Sequence, residues 1–192
     1  MIQYKSYADI CTNELTDGAI KHYHEPFIQD YLVLHCLLKA YKVKSVFEIG
    51  CNEGVGTKII CNAVGKEGTV YSLDLPRELA HLSKQHPFSE GKGENKVGHK
   101  CNLPFTLLFG NSLTFDYSKY PCEAFYVDGE HLEVNVFHEV SEILKLTPKI
   151  VILHDTDMPE VMTGLKRAVD RRSNNYTIYR VVDTRISYLL KS

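Results

Sequence analysis

The chain has no surplus of positive charge, no closely spaced cysteine pair and no long apolar run, and each absence removes a class of protein. With 22 Lys and Arg against 24 Asp and Glu, the formal net charge is -2. A general nucleic-acid binder draws its affinity from neutralised phosphates, so no nucleic-acid partner is expected. The six cysteines (Cys11, Cys36, Cys51, Cys61, Cys101 and Cys122) form no C-x-x-C motif. Several lie in apolar runs, where Cys behaves as a small hydrophobe, and they read as free thiols. No stretch approaches the length of a membrane span, and Met1 to Ser6 lacks the charged-then-apolar order of a signal peptide. The expectation is a cytoplasmic protein with no membrane partner. A P-loop would need G-K-[ST] after its last glycine and a dinucleotide fold would need G-x-G-x-x-G; the glycine-rich turn of this chain has neither.

What is present suits one domain, 1–192: 192 residues, 44% hydrophobic, enough for a full core and too few for a second. Phe27, Tyr31, Leu34, Leu38 and Tyr41 recur at helical spacing after Pro26, which gives residues 1–44 the character of an N-terminal helical segment. Strands and helices then alternate. Strands are expected at Ser45–Ile49, Thr69–Leu73, Thr106–Phe109, Ala124–Val127 and Ile150–Leu153, with helices at Val55–Val64, Glu78–Gln85, after Leu132 and from about Glu160 to Arg171. Two runs, Tyr176–Val182 and Arg185–Leu190, flank a polar Asp183-Thr184 turn and read as a hairpin. Pro87 to Pro104 has no apolar period and is either a mobile lid over a substrate or a surface loop.

The most informative run is Glu48-Ile49-Gly50-Cys51-Asn52-Glu53-Gly54-Val55-Gly56, a strand that closes on a carboxylate and leaves through a glycine turn into a helix. Glycines bring backbone close to a ligand, and a helix start offers unpaired N–H groups, so this is a nucleotide-like cofactor site. Cys51 reads as a small side chain that fits the turn. One strand and helix later, Asp74 closes a second apolar strand, where an acid can accept ribose hydroxyls or simply cap the next helix. The E-x-G-x-x-x-G-x-G order with the following strand-terminal acid resembles motif I of the class I S-adenosylmethionine (SAM)-dependent methyltransferases, and the likeness extends from Ser45 to the C-terminus. It implies a Rossmann-like α/β sandwich: a mostly parallel seven-stranded sheet finished by an antiparallel hairpin. It also implies SAM as cofactor, held by Glu48, Gly50, Asn52, Gly54, Asp74, Asn111, Ser112 and Asp128.

Val127-Asp128-Gly129-Glu130-His131 and Leu153-His154-Asp155-Thr156 resemble the D-G-x-H and h-D-[TS] blocks of a small-molecule O-methyltransferase branch. In an open α/β sheet ligands lie beyond the carboxyl ends of the strands, where these residues fall. The resemblance implies O-methylation of a small molecule. Neighbouring strands lie about 5 Å apart, so their terminal acids can share a hard cation. Asp128 and Asp155 are the candidate ligands for Mg²⁺ or Mn²⁺, with His154 or His131 completing the shell. His131 is also the candidate general base, with Asp128 beside it in the catalytic set. The chain departs from the branch at Glu133, where an aromatic is common, and at Pro148-Lys149, where Gly-Gly is usual. His22 and His24 form an H-x-H pair without a partner acid, more in keeping with surface than with a metal. Two other readings stay open: a metal-dependent hydroxylase or hydrolase on this scaffold, and a non-catalytic cofactor-binding protein. Oligomeric state is not written in the sequence, and a homodimer is compatible with it.

Overall fold

The computed structural model describes residues 2–12, 28–76, 78–79, 97–172 and 175–192. Its centre is a set of short parallel strands, buried throughout except at Ser45: β2 (Ser45–Ile49), β5 (Ala124–Val127) and β6 (Ile150–Leu153). Strands apolar on both faces need cover on both faces, and the helices between them provide it. Alternate residues supply the two cores. Val46, Ala124, Tyr126 and Ile152 face α2 (Ile28–Ala40) and α3 (Val55–Val64); Phe47, Phe125, Val127 and Val151 face α4 (Glu133–Ile143) and α5 (Pro159–Arg171). Phe47 lies within 5.7 Å, centroid to centroid, of Phe115, Tyr117, Tyr120 and Phe125. Its truncation to Ala would cost about 3 to 5 kcal/mol.

The sheet has eight strands in the order β1-β7-β8-β6-β5-β2-β3-β4, with β1 (Ile2–Lys5), β3 (Thr69–Asp74), β4 (Thr106–Phe109), β7 (Tyr176–Val181) and β8 (Ser187–Lys191). All pairings are parallel except those of β8 with β6 and β7, so the C-terminal antiparallel hairpin is present as expected. The expected seven strands become eight. Ile2–Lys5 adds a parallel edge beside β7, followed by the short α1 (Tyr7–Ile10). Four residues with a partner about 175 positions away give no local signal, so sequence patterning could not reveal this strand. The hairpin turn is also longer than expected, because β7 ends at Val181 and β8 starts at Ser187, leaving Arg185 in the connection. The expected helix start at Pro26 and Phe27, the His22/His24 pair, most of the Glu78–Gln85 helix and the first part of the Pro87–Pro104 loop lie outside the described residues. No helix among the described residues is long and apolar enough to cross a membrane.

Chain order reverses between β2 and β5, whose outward neighbours are β3 and β6. The register aligns Ile49 with Leu73 and Val127, and Val127 with Leu153. Glu48, Asp74, Asp128, His154 and Asp155 are therefore set in one row at the switch point.

Candidate functional site

Along that row runs a cleft of about 610 Å³, lined by the ends of β2, β3, β5 and β6, the turn after β4 and Tyr31 of α2. Every sequence-predicted site residue except Gly54 lines it.

The glycine turn is shaped by backbone crowding. Gly50 has φ +93°, and a Cβ there would fall 2.0 Å from the Asp128 carbonyl oxygen, so only glycine lets the β5 loop cross. Gly54, at φ +88°, starts α3, and its Cβ would lie 2.7 Å from Gly98 Cα. The space over Gly54 is thus filled by the 97–100 turn rather than left for a ligand, which corrects the expected reason for a glycine at this position. That turn docks on the glycine loop after β2: Gly98 N–H donates to Asn52 O (2.8 Å), Lys100 N–H to Glu53 O (2.8 Å), and Lys100 Nζ pairs with Glu53 Oε2 at 2.7 Å. Asn52 is itself left-handed, at φ +45°, and its N–H donates to Asp74 Oδ2 (2.6 Å) while Leu75 N–H donates to Oδ1 (2.7 Å). The Asp74 carboxylate, 6% exposed, is thereby fixed at the cleft wall. Cys51 is buried 3.5 Å from Thr57 Oγ1, and burial pushes its thiol up to about 12, as suits an inert space-filler.

Glu48 is fully buried. Thr57 and Ser72 hydroxyls donate to its Oε2 at 2.5 Å each, and Oε1 is without a hydrogen-bond partner among the described residues. Burial raises its pKa to about 8, against the lowering effect of the two hydroxyls. After β4, Asn111 Oδ1 accepts from Leu113 N–H (3.0 Å) and the Ser112 carbonyl from Tyr117 Oη (2.9 Å), which fixes that wall.

The other end of the cleft is a charge cluster. His131 Nε2 lies 3.0 Å from Asp155 Oδ2 and 4.0 Å from Asp128 Oδ1. His154 Nδ1 lies 3.0 Å from Asp155 Oδ2 and 3.3 Å from Asp128 Oδ1, while its Nε2 faces Asp30 Oδ2 at 3.3 Å. Tyr126 Oη donates to Asp128 Oδ2 (3.1 Å). The Asp128 and Asp155 carboxylates outweigh burial and raise His131 to about 9. Burial would lower His154, and the Asp128, Asp155 and Asp30 carboxylates overcome it, raising it to about 11. Burial opposes ionisation of Asp155, yet the two histidines hold it far below the usual carboxylate range. Three carboxylates therefore face two imidazoles of raised proton affinity and Arg185, an opposition of charge that makes a half-buried cluster tolerable.

Asp128, His131 and Asp155 each offer a ligand atom, all within 4.8 Å of one another. His131 belongs to this convergent set and His154 does not; His154 Nε2 faces Asp30 and the Arg185 guanidinium. Two carboxylates and an imidazole suit Mn²⁺ and, less closely, Mg²⁺. Sequence reasoning missed Asp30, Tyr31 and Arg185. Tyr31, placed on the apolar face of its helix, stacks on His154 (centroids 6.5 Å, 13° between planes) and lines the cleft. Asp30 is 155 residues from its partner Arg185, and nothing local in sequence marks either.

No protein-family model matches the chain, and no curated protein matches it in sequence. Its structure is similar to that of an O-methyltransferase from Bacillus cereus in complex with S-adenosylhomocysteine (SAH), at 14% identity over 96% of this chain and 90% of that one, TM-score 0.57. It is likewise similar to TomG from Streptomyces achromogenes, an O-methyltransferase of tomaymycin synthesis in complex with SAM, at 15% identity, 94% and 90% coverage, TM-score 0.57. A SAH-bound methyltransferase from Podospora anserina matches at 10% identity, 93% and 86% coverage, TM-score 0.58. At these identities the likeness is one of architecture: the chain has the Rossmann-like fold of these methyltransferases.

Proposed function

We propose that the protein is a SAM-dependent methyltransferase of small molecules, with oxygen as the accepting atom. The observation that carries this reading is the single cleft in which a cofactor-type carboxylate, Asp74, and an acid–imidazole cluster, Asp128, His131 and Asp155, open side by side. SAM and SAH in structures of the same architecture support it. The cofactor supplies an activated methyl carbon; the protein binds, aligns and manages one proton.

In this reading Asp74 accepts the ribose hydroxyls, and Asn111 and Ser112 bound the adenine. Gly50 and Asn52 pass under the methionine part, where Glu48 keeps an unspent oxygen and Asp128 flanks the methyl; Gly54 serves by shaping the turn. The acceptor hydroxyl lies at the His131 end. A neutral His131 can take its proton, so the reaction accelerates as the imidazolium ionises. In the alternative role Asp128, His131 and Asp155 would hold Mg²⁺ or Mn²⁺, and the cation's charge, in place of His131 as base, would lower the pKa of a bound hydroxyl. We place the enzyme in the cytoplasm. A non-catalytic cofactor-binding protein would need Asp74 and the turn but not this cluster.

The test is transfer of labelled methyl from SAM to a panel of hydroxylated small molecules, with and without chelator. Labelled product supports the proposal. Tight SAH binding without label on any acceptor would favour the non-catalytic reading.

A further inference from the structure

Arg185 is absent from the cleft lining, yet its amide, carbonyl and guanidinium are all hydrogen-bonded beside the cleft. Its N–H donates to Asp30 Oδ1 (2.9 Å) and its Nε to Asp30 Oδ2 (2.8 Å). One guanidinium nitrogen donates to Asp155 Oδ1 (2.8 Å), and the other lies 3.1 Å from His154 Nε2. Its carbonyl accepts from both the N–H (2.9 Å) and the hydroxyl (3.0 Å) of Thr156. A residue gripped at amide, carbonyl and side chain has little freedom left, and it joins three elements distant in sequence: α2, the end of β6 and the β7–β8 turn.

What this grip fixes is the cluster end of the cleft. Asp155 sits at φ +50°, a left-handed conformation uncommon outside glycine that Asp tolerates better than most residues, and Arg185 holds its side chain there. Arg185 occupies Asp155 Oδ1, so Oδ2 is the oxygen that meets His131. Asp30, 4% exposed, binds Arg185 with both oxygens and faces His154, and the next residue on the helix is Tyr31, the aromatic wall of the cleft.

We propose that the Arg185–Asp30 pair is a clamp that positions Asp155, His154 and Tyr31 for the acceptor end of the cleft, acting through them without touching a ligand. A guanidinium is required because a planar fork meets Asp30 and Asp155 at once, which a lysine ammonium at one point cannot do. The clamp rests on the methyltransferase reading only for its purpose; its geometry is independent of it.

Arg185→Lys, Arg185→Ala and Asp30→Asn test it by two measurements at one pH: calorimetric SAH binding, and ring ¹⁵N NMR signals of His131 and His154, assigned with His131→Gln and His154→Gln. The expected result is SAH affinity within about twofold of wild type, as for distant uncoupled sites. The His154 and His131 signals should move in all three variants, with no rescue by lysine. Wild-type histidine spectra in folded Arg185→Ala or Asp30→Asn protein, whatever its melting temperature, would overturn the clamp. So would full recovery in Arg185→Lys. Absence of SAH binding by wild type would instead count against the methyltransferase reading, and the histidine signals would still decide for or against the clamp.

Discussion

Replacing Glu48 with Gln should remove a pH-dependent penalty that the wild-type fold carries. Glu48 is fully buried and keeps a pKa near 8 because burial disfavours its charge more than the Thr57 and Ser72 hydroxyls favour it. In the unfolded chain the same group ionises near 4.5. The folded state therefore holds this proton more tightly. Its contribution to stability is fully present below about 4.5 and is lost as pH rises toward 8. At about 1.4 kcal/mol for each pH unit of that window, the loss is roughly 3 to 5 kcal/mol. Glutamine has no proton to lose. Its amide beside Gly56, in place of the unpartnered Oε1, adds a constant cost of about 1 to 3 kcal/mol. Relative to wild type, Glu48→Gln should thus be less stable at pH 5 and at least as stable at pH 8.5. Urea unfolding followed by far-UV circular dichroism suits a chain with no tryptophan. A stability difference that stays constant across pH 5 to 8.5 would refute the argument. The same proton would couple to the proposed function: if the cofactor's cationic amine lies near Glu48, it favours the carboxylate. SAM binding near pH 7 should release a proton in wild type but not in Glu48→Gln, as read by calorimetry in buffers of different ionisation heat.

Asp74→Ala should weaken SAH binding by about 1 to 3 kcal/mol, and part of the loss comes from the Asn52 amide that Asp74 now orders. Gly54→Val should lose stability and SAH binding together, because a Cβ strikes Gly98 and φ is +88°; a stable variant with normal affinity would contradict that geometry. His131 gains its proton affinity on folding, so its stabilisation is complete below about 6.5 and fades through about 9. In chelator-treated protein, melting temperature should fall over that window in wild type and stay flatter in His131→Ala, and methyl transfer should rise over it. If Asp128, His131 and Asp155 hold a cation, Mn²⁺ should raise the melting temperature of wild type but not of Asp155→Ala; equal responses would confine these acids to the charge cluster.

The central strands and the cofactor turn were legible because their signals are local: apolar runs of four or five residues, each closed by an acid and a helix start. Knowing that Glu48, Asp74, Asp128 and Asp155 end adjacent parallel strands was enough to set them in one row. The eighth strand and the Asp30–Arg185 pair were not legible, since each exists only through a partner more than 150 residues away. Arg185 reads as strand in an alternating pattern, and only the longer turn frees it to point at Asp155. Spacing shows that Cβ atoms are excluded at Gly50 and Gly54, but only the structure shows that the excluding atoms are Asp128 and Gly98. The ionisation state of His131 was likewise hidden, because it depends on two carboxylates brought together by the fold.

The central claim is that this cleft binds SAM, and calorimetric titration of the purified chain with SAH tests it most directly. A micromolar dissociation constant, about 8 kcal/mol, is expected, weakened by Asp74→Ala. No heat of binding with millimolar SAH, or an affinity indifferent to Asp74→Ala, would contradict it.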